Sequence, residues 1–314
     1  MKKTILALAL AAGLASAEAA TFGTGANQFT LDFTAIGNTT QAADPTTGYG
    51  AVGYNYAMGT YDISQTQLAA AATASGQNFG GGAWTGAAPA ANVTWYQAAA
   101  FVNWLDASAG SPLAYQLSGN NLTAYTSGQV GYNAANPFRN SLALYVLPTM
   151  DEWYKAAYGL SNGSGYTQYA TGSNIAPTAV KNGTAAGTAV YGYGYGQGPS
   201  SVYAAGGLSS YGTMGQSGNI LQWSEDNYTI GATSANGNRG ITGGAWFTAA
   251  SWLQSTGQIY IDPQTGSYDN VGFRVAMVTA NAVPEPSTYA LFGLGTLALI
   301  VASRRRNKSA TGRN

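Results

Sequence analysis

A chain of 314 residues with neither cysteine nor histidine must hold together by packing alone, and it lacks most of the side-chain chemistry that enzymes use. No disulfide can staple it. A Ser-His-Asp triad, a Cys-His pair and a His-ligated zinc site are all excluded. Gly159-Leu160-Ser161-Asn162-Gly163 matches the nucleophile-elbow spacing, but it follows a predicted helix and has no histidine to serve it. A serine–lysine hydrolase is unsupported too, because Glu152 and Thr178 stand three residues before Lys155 and Lys181, the only lysines between 21 and 280.

The two ends read as sorting segments. Lys2 and Lys3, an apolar run over 5–14 and then Ala15-Ser16-Ala17 make residues 1–20 an export signal. That run is well short of the ~20 residues a membrane span needs. At the other end, Val283-Pro284-Glu285-Pro286-Ser287 leads into an apolar run over 289–302, closed by Arg304-Arg305-Arg306. A basic cluster after the run retains it in the membrane during export, and the prolines keep the approach extended. This tail, 281–314, resembles the PEP-CTERM sorting signal of bacterial surface and exopolysaccharide-associated proteins. The resemblance implies an exosortase as processing partner, with Pro284, Glu285 and Pro286 as its signal. It also implies transient insertion in the inner membrane of a Gram-negative bacterium and a final place at the cell surface or in the extracellular matrix.

Between the ends, residues 21–280 suffice for one large domain with its own core. That stretch carries five cations and ten acids, a net charge near −5, although the whole chain is balanced. No clustered Lys and Arg mark a nucleic-acid surface. Charged residues are only 8% of the chain, which leaves a neutral, polar surface suited to a setting of glycans.

The best-specified local structure is Leu147-Pro148-Thr149-Met150-Asp151-Glu152-Trp153-Tyr154-Lys155-Ala156-Ala157-Tyr158-Gly159. Thr149 and Glu152 have capping-box spacing. Met150, Trp153, Tyr154 and Ala157 form an apolar stripe, and Gly159 offers a left-handed stop. The prediction is an amphipathic helix with Trp153 turned inward. A second capping box, Thr94 to Gln97, opens a helix whose inward stripe is Ala98, Phe101, Val102 and Leu105, ended by Gly110 and Pro112. Upstream, residues 53–64 place aromatic and apolar side chains near period two and then give way to a helix over 65–73. Near the end, Val271, Phe273, Val275 and Met277 alternate with Gly272, Arg274 and Ala276, which predicts a strand with one buried face.

These segments carry a resemblance to the formylglycine-generating enzyme, or sulfatase-modifying factor, family. Leu147-Pro148-Thr149 through Glu152-Trp153 to Ala156-Ala157 is similar to its Arg-Leu-Pro-Thr-Glu-Ala-Glu-Trp-Glu-Tyr-Ala-Ala, with Val146 in place of the arginine. Tyr61-Asp62-Ile63-Ser64-Gln65 resembles its Tyr-Glu-Val-Thr-Asn, and Val93-Thr94-Trp95 with Ala98, Ala100, Phe101 and Trp104 resembles its Val-Ser-Trp motif. Gly218-Asn219-Ile220-Leu221-Gln222-Trp223 resembles Gly-Asn-Val-Trp-Glu-Trp; Arg239 through Gly243-Gly244-Ala245-Trp246 and Asn270-Val271-Gly272-Phe273-Arg274 supply the closing motifs. The implied fold is a single α+β domain related to C-type lectins, with short strands, few helices and much ordered loop.

The resemblance also implies sites. The family uses the Asn, the next main-chain carbonyl and the Glu of its Gly-Asn motif for a structural calcium, here Asn219, Ile220 and Gln222. Gln222 keeps an oxygen but removes a charge, so the calcium site is either weakened or lost. In active members two cysteines between the Gly-Gly-x-Trp and Gly-Phe-Arg motifs bind copper. The corresponding interval, 247–270, has no cysteine, so no catalytic residue is assigned. The expectation is a non-catalytic binding or structural protein. The alternative is an oxidoreductase working by a cysteine-independent route, such as the hydroxylation performed by relatives with non-haem iron. The substrate groove of relatives lies near the loops before the last strand, which puts Trp252 and Tyr260 forward as a surface for exopolysaccharide or other surface glycans, with Trp246 in the core. The glycine-rich segment 160–213, with Tyr191, Tyr193 and Tyr195, lacks phosphate-loop spacing and reads as a long ordered surface loop whose rings could stack on sugars. Glu225 and Asp226 are expected in a solvated turn rather than as a catalytic pair.

Overall fold

Three short helices and many two- to eight-residue strands make up the described residues, because frequent glycines, 43 in the whole chain, interrupt every longer periodicity. The computed structural model describes residues 18–226, 237–257 and 259–278, all within a unit that ends at Val278. The helices are α1 (Gln65–Ser75), α2 (Trp95–Ala109) and α3 (Met150–Tyr158). Each starts with a complete capping box: Ser64 with Gln67, Thr94 with Gln97, and Thr149 with Glu152. In each, a hydroxyl accepts the third helical amide while the amide or carboxylate side chain accepts the cap amide, so two orphan donors are met locally. Gly76 and Gly110 then stop α1 and α2 in the left-handed region.

The strands form two main sheets. In the first, the spatial order is Glu18–Phe22, Phe29–Ile36, Tyr56–Gly59, Ala276–Val278 and Tyr145–Val146, antiparallel throughout. The last strand of the domain is therefore internal to the sheet, paired on both sides. In the second, the order is Tyr260–Pro263, Asn238–Thr242, Leu221–Trp223 and Val271–Gly272, the final pair being parallel. α2 lays Ala98, Phe101, Val102 and Leu105 into the core with no exposure, as its periodicity predicts. Phe101 meets Phe273 edge to face at 5.5 Å, which ties this helix to the closing segment.

Three local expectations are corrected. α3 has no solvent face, because Glu152 and Lys155 are buried along with Trp153, Tyr154 and Ala157. Gly159 ends it at φ −64° rather than left-handed, since the chain leaves directly into an antiparallel bridge with Tyr166. The closing segment is not one strand with one buried face. Val271–Gly272 belongs to the second sheet and Ala276–Val278 to the first, and every residue over 271–276 is buried on crossing between them.

That crossing places Arg274 in the interior, where it pairs with Asp62 at 3.1 Å. Urea unfolding should separate the two kinds of polar device. Thr94→Ala removes one cap and is expected to cost ~1 kcal/mol. Arg274→Leu leaves the Asp62 carboxylate buried and unpaired and is expected to cost ~3–5 kcal/mol.

Candidate functional site

Gln222 lies on an internal strand of the second sheet, and both ends of its amide are hydrogen-bonded. Its Oε1 accepts from Trp153 Nε1 and from Arg274 Nε, both at 2.7 Å, and its Nε2 donates to the Gly215 carbonyl at 2.8 Å. Asn219, three residues earlier and left-handed at φ 64°, clamps the main chain of Ser200. Its Oδ1 accepts from the Ser200 amide at 2.8 Å, and its Nδ2 donates to the Ser200 carbonyl at 3.4 Å. The predicted calcium set of Asn219, Ile220 and Gln222 therefore does not fit a hard cation. Both amide oxygens face N–H donors, one of them on a guanidinium, and the set contains no carboxylate. Among the described residues no cluster of three or more His, Cys, Asp or Glu is placed to hold a metal. Gln222→Glu should accordingly shift the melting temperature by the same amount in calcium and in chelator; a larger shift in calcium would reveal a cation there.

A second polar cluster surrounds Arg139. Its Nη1 and Nη2 donate to the two oxygens of Glu152, each at 2.9 Å, and its Nε donates to Glu225 at 2.5 Å. Tyr54 adds a bond to Glu152 at 2.6 Å; Tyr115 and Asn136 add bonds to Glu225 at 2.8 and 2.5 Å. Burial pushes the Glu152 carboxyl up most strongly, but the Arg139 charge together with the hydrogen bonds from Arg139, Tyr54 and the Thr149 amide outweighs it, and the pKa falls below the usual value. Glu225 and Asp226 are thus not in a solvated turn; both are buried. They also face apart, Asp226 accepting the Met150 amide at the start of α3, where a negative charge suits the helix end. Burial, with the neighbouring carboxylates, raises the Asp226 pKa to about 7. With their oxygens met by protein donors, these carboxylates brace the fold and offer no substrate an open acid–base pair. Sequence reasoning missed Arg139 entirely, because its partners lie 13 and 86 residues away.

The proposed aromatic surface is brought together. Trp252, half-buried in a 3₁₀ turn (Ala250–Leu253), and Tyr260, 37% exposed on an outer strand of the second sheet, have ring centroids 5.0 Å apart. Trp246 is fully buried, donating to the Tyr195 carbonyl at 2.9 Å. Of the glycine-rich loop, Tyr195 is the most exposed ring, at 51%, and leans on Phe247 at 4.8 Å. The 247–270 interval thus presents aromatic side chains and hydroxyls where a thiolate pair would be needed for copper.

The family model for the sulfatase-modifying factor enzyme 1-like domain matches residues 26–279. The chain belongs to that family. The PEP-CTERM protein-sorting motif matches residues 282–306, so this is an exported, surface-directed and exosortase-sorted sulfatase-modifying factor-like protein. Pro284, Glu285 and Pro286, the apolar run over 289–302 and the export signal over 1–20 lie outside the described residues, apart from Glu18, Ala19 and Ala20 in the first strand. Among the described residues no helix is long and apolar enough to cross a membrane. Among solved structures, Treponema denticola variable protein 1 aligns over 82% of this chain and 98% of its own, at 21% identity and a TM-score of 0.58. CarF aligns over 71% of this chain and 86% of its own, at 22% identity and a TM-score of 0.50. At such identities the likeness is one of fold. No curated protein sequence matches the chain.

Lys155, on α3, is buried with its charge turned toward main-chain oxygens. Lys155 Nζ donates to the main-chain carbonyls of Asn38 at 2.8 Å and Val52 at 3.3 Å, and burial lowers its pKa to about 8. In the unfolded chain a lysine titrates near ~10.4. Between those values the unfolded state holds a proton that the folded state has released, so this group makes stability rise with pH from about 8 towards 10. Melting curves of Lys155→Met should lose that rise relative to the parent chain.

Proposed function

We propose that this sulfatase-modifying factor-like protein is non-catalytic and serves as a surface-displayed binding protein, with Trp252 and Tyr260 at the centre of its ligand surface. The observation that carries the reading is the 247–270 interval, which contains no cysteine in a chain that has none anywhere. Without a thiolate there is no ligand of the kind a cuprous centre requires. A non-haem iron route meets the same obstacle in the absence of histidine. Incubation with a cysteine-containing sulfatase peptide, copper and oxygen is expected to yield no aldehyde; aldehyde above the protein-free control would establish an oxidoreductase working by another route.

The binding half of the proposal rests on the paired rings. An indole and a phenol 5.0 Å apart, each partly open to solvent, offer a broad apolar face with polar edges, the form that stacks on a pyranose ring. The sorting motif supports a surface destination, where glycans are a ready class of ligand, and the apolar run followed by Arg304, Arg305 and Arg306 suits transient anchoring in the inner membrane before an exosortase acts. Trp252→Ala and Tyr260→Ala are the discriminating variants. Because Tyr260 is 37% exposed and Trp252 only half-buried, neither is expected to move the melting temperature by more than a few degrees. At least one should weaken association with the producer's exopolysaccharide, scored by co-sedimentation. Unchanged association in both variants would remove this surface from consideration.

A further inference from the structure

The outward face of α2 forms the floor of a second, chemically distinct groove of about 540 Å³ that shares no residue with the Trp252–Tyr260 surface. Along the helix, Gln97, Ala100, Trp104 and Ala107 follow helical spacing, so small residues flank the indole on both sides and leave it accessible. The ring is half-buried and held from behind by Phe22, Phe29, Phe79 and Phe101, with centroids 6.0–6.3 Å away. It is a fixed platform, set before any ligand arrives.

The walls are amides. Gln77, Asn78, Gln97, Asn103 and Asn120 line the groove, and among the described residues no Asp, Glu, Lys or Arg does. Asn103 is locked by a pair of bonds to the Tyr115 main chain, at 2.8 and 2.9 Å. Gln97 and Asn78 each use only their carbonyl oxygen, to cap Thr94 and to accept from Gly80, so their NH₂ groups have no acceptor among the described residues. An amide both donates and accepts, which matches hydroxyl groups of either polarity, while the absence of charge discriminates against ionic ligands. We infer that this groove is a binding site for neutral oligosaccharides, with Trp104 stacking on the apolar face of one sugar ring and the amides meeting its hydroxyls. The volume is of the order of a drug-sized ligand, enough for a few sugar residues.

The test uses the exported, processed protein and four neutral hexasaccharides (cellohexaose, laminarihexaose, maltohexaose and chitohexaose), with polygalacturonate as the acidic control, read by titration calorimetry and tryptophan fluorescence. At least one neutral probe is expected to bind while polygalacturonate does not. Ala107 is exposed on the groove floor, so Ala107→Arg fills the site without touching the core. It should weaken binding at least about tenfold at an unchanged melting temperature, and Trp104→Phe should weaken it less. Trp252→Ala should leave this binding intact, which separates the site from the one proposed above. Failure of all four probes, or binding that survives Ala107→Arg, or binding abolished by Trp252→Ala alone, would overturn the assignment.

Discussion

A guanidinium removed from water costs several kcal/mol unless its donors are met, and the way Arg274 is met organises the domain. Its Nε goes to Gln222, its Nη1 to the carbonyl of Gly59, and its Nη2 to Asp62 and the Met214 carbonyl. Gly59 belongs to the first sheet, Gln222 to the second, and Gln222 in turn accepts the indole of Trp153 from α3. One cation thereby fixes two sheets, a helix and the loop before Gln222 against one another. Hydrophobic burial supplies the drive, but it is non-directional. The arginine supplies the register.

The same node explains why an amide at position 222 is compatible with the fold. One Oε1 satisfies two donors, and the amide N–H reaches Gly215, which a carboxylate could only repel. With Asp62 already neutralising Arg274, a further carboxylate would leave the node negatively charged and buried. The sequence shows the substitution; only the geometry shows that the lost charge is balanced by a changed set of partners.

What the sequence disclosed was local. The caps at Thr94 and Thr149 were legible because two residues at a spacing of three specify each, and Ser64 and Gln67 have the same spacing ahead of α1. Family motifs conveyed the architecture. Strands of two to five residues, many buried on both faces, carry too little alternation to be read, which is why the closing segment looked like one half-buried strand. The burial of Glu225 depends on Arg139, Tyr115 and Asn136, none of which is near it in the chain. Of the candidate surface, Trp252 and Tyr260 could be named in advance. Their ring contact, and the amide-walled groove on α2, depended on how distant segments pack.

The placement of Ala276–Val278 inside the first sheet, between Tyr56–Gly59 and Tyr145–Val146, bears on how the protein leaves the cell. In a chain delivered N-terminus first, that sheet cannot close until residues 276–278 are available, because an internal position stays vacant until then. With no cysteine to oxidise, folding afterwards waits on no catalyst of disulfide formation. Completion of the sheet waits on the few residues that stand just before the sorting motif.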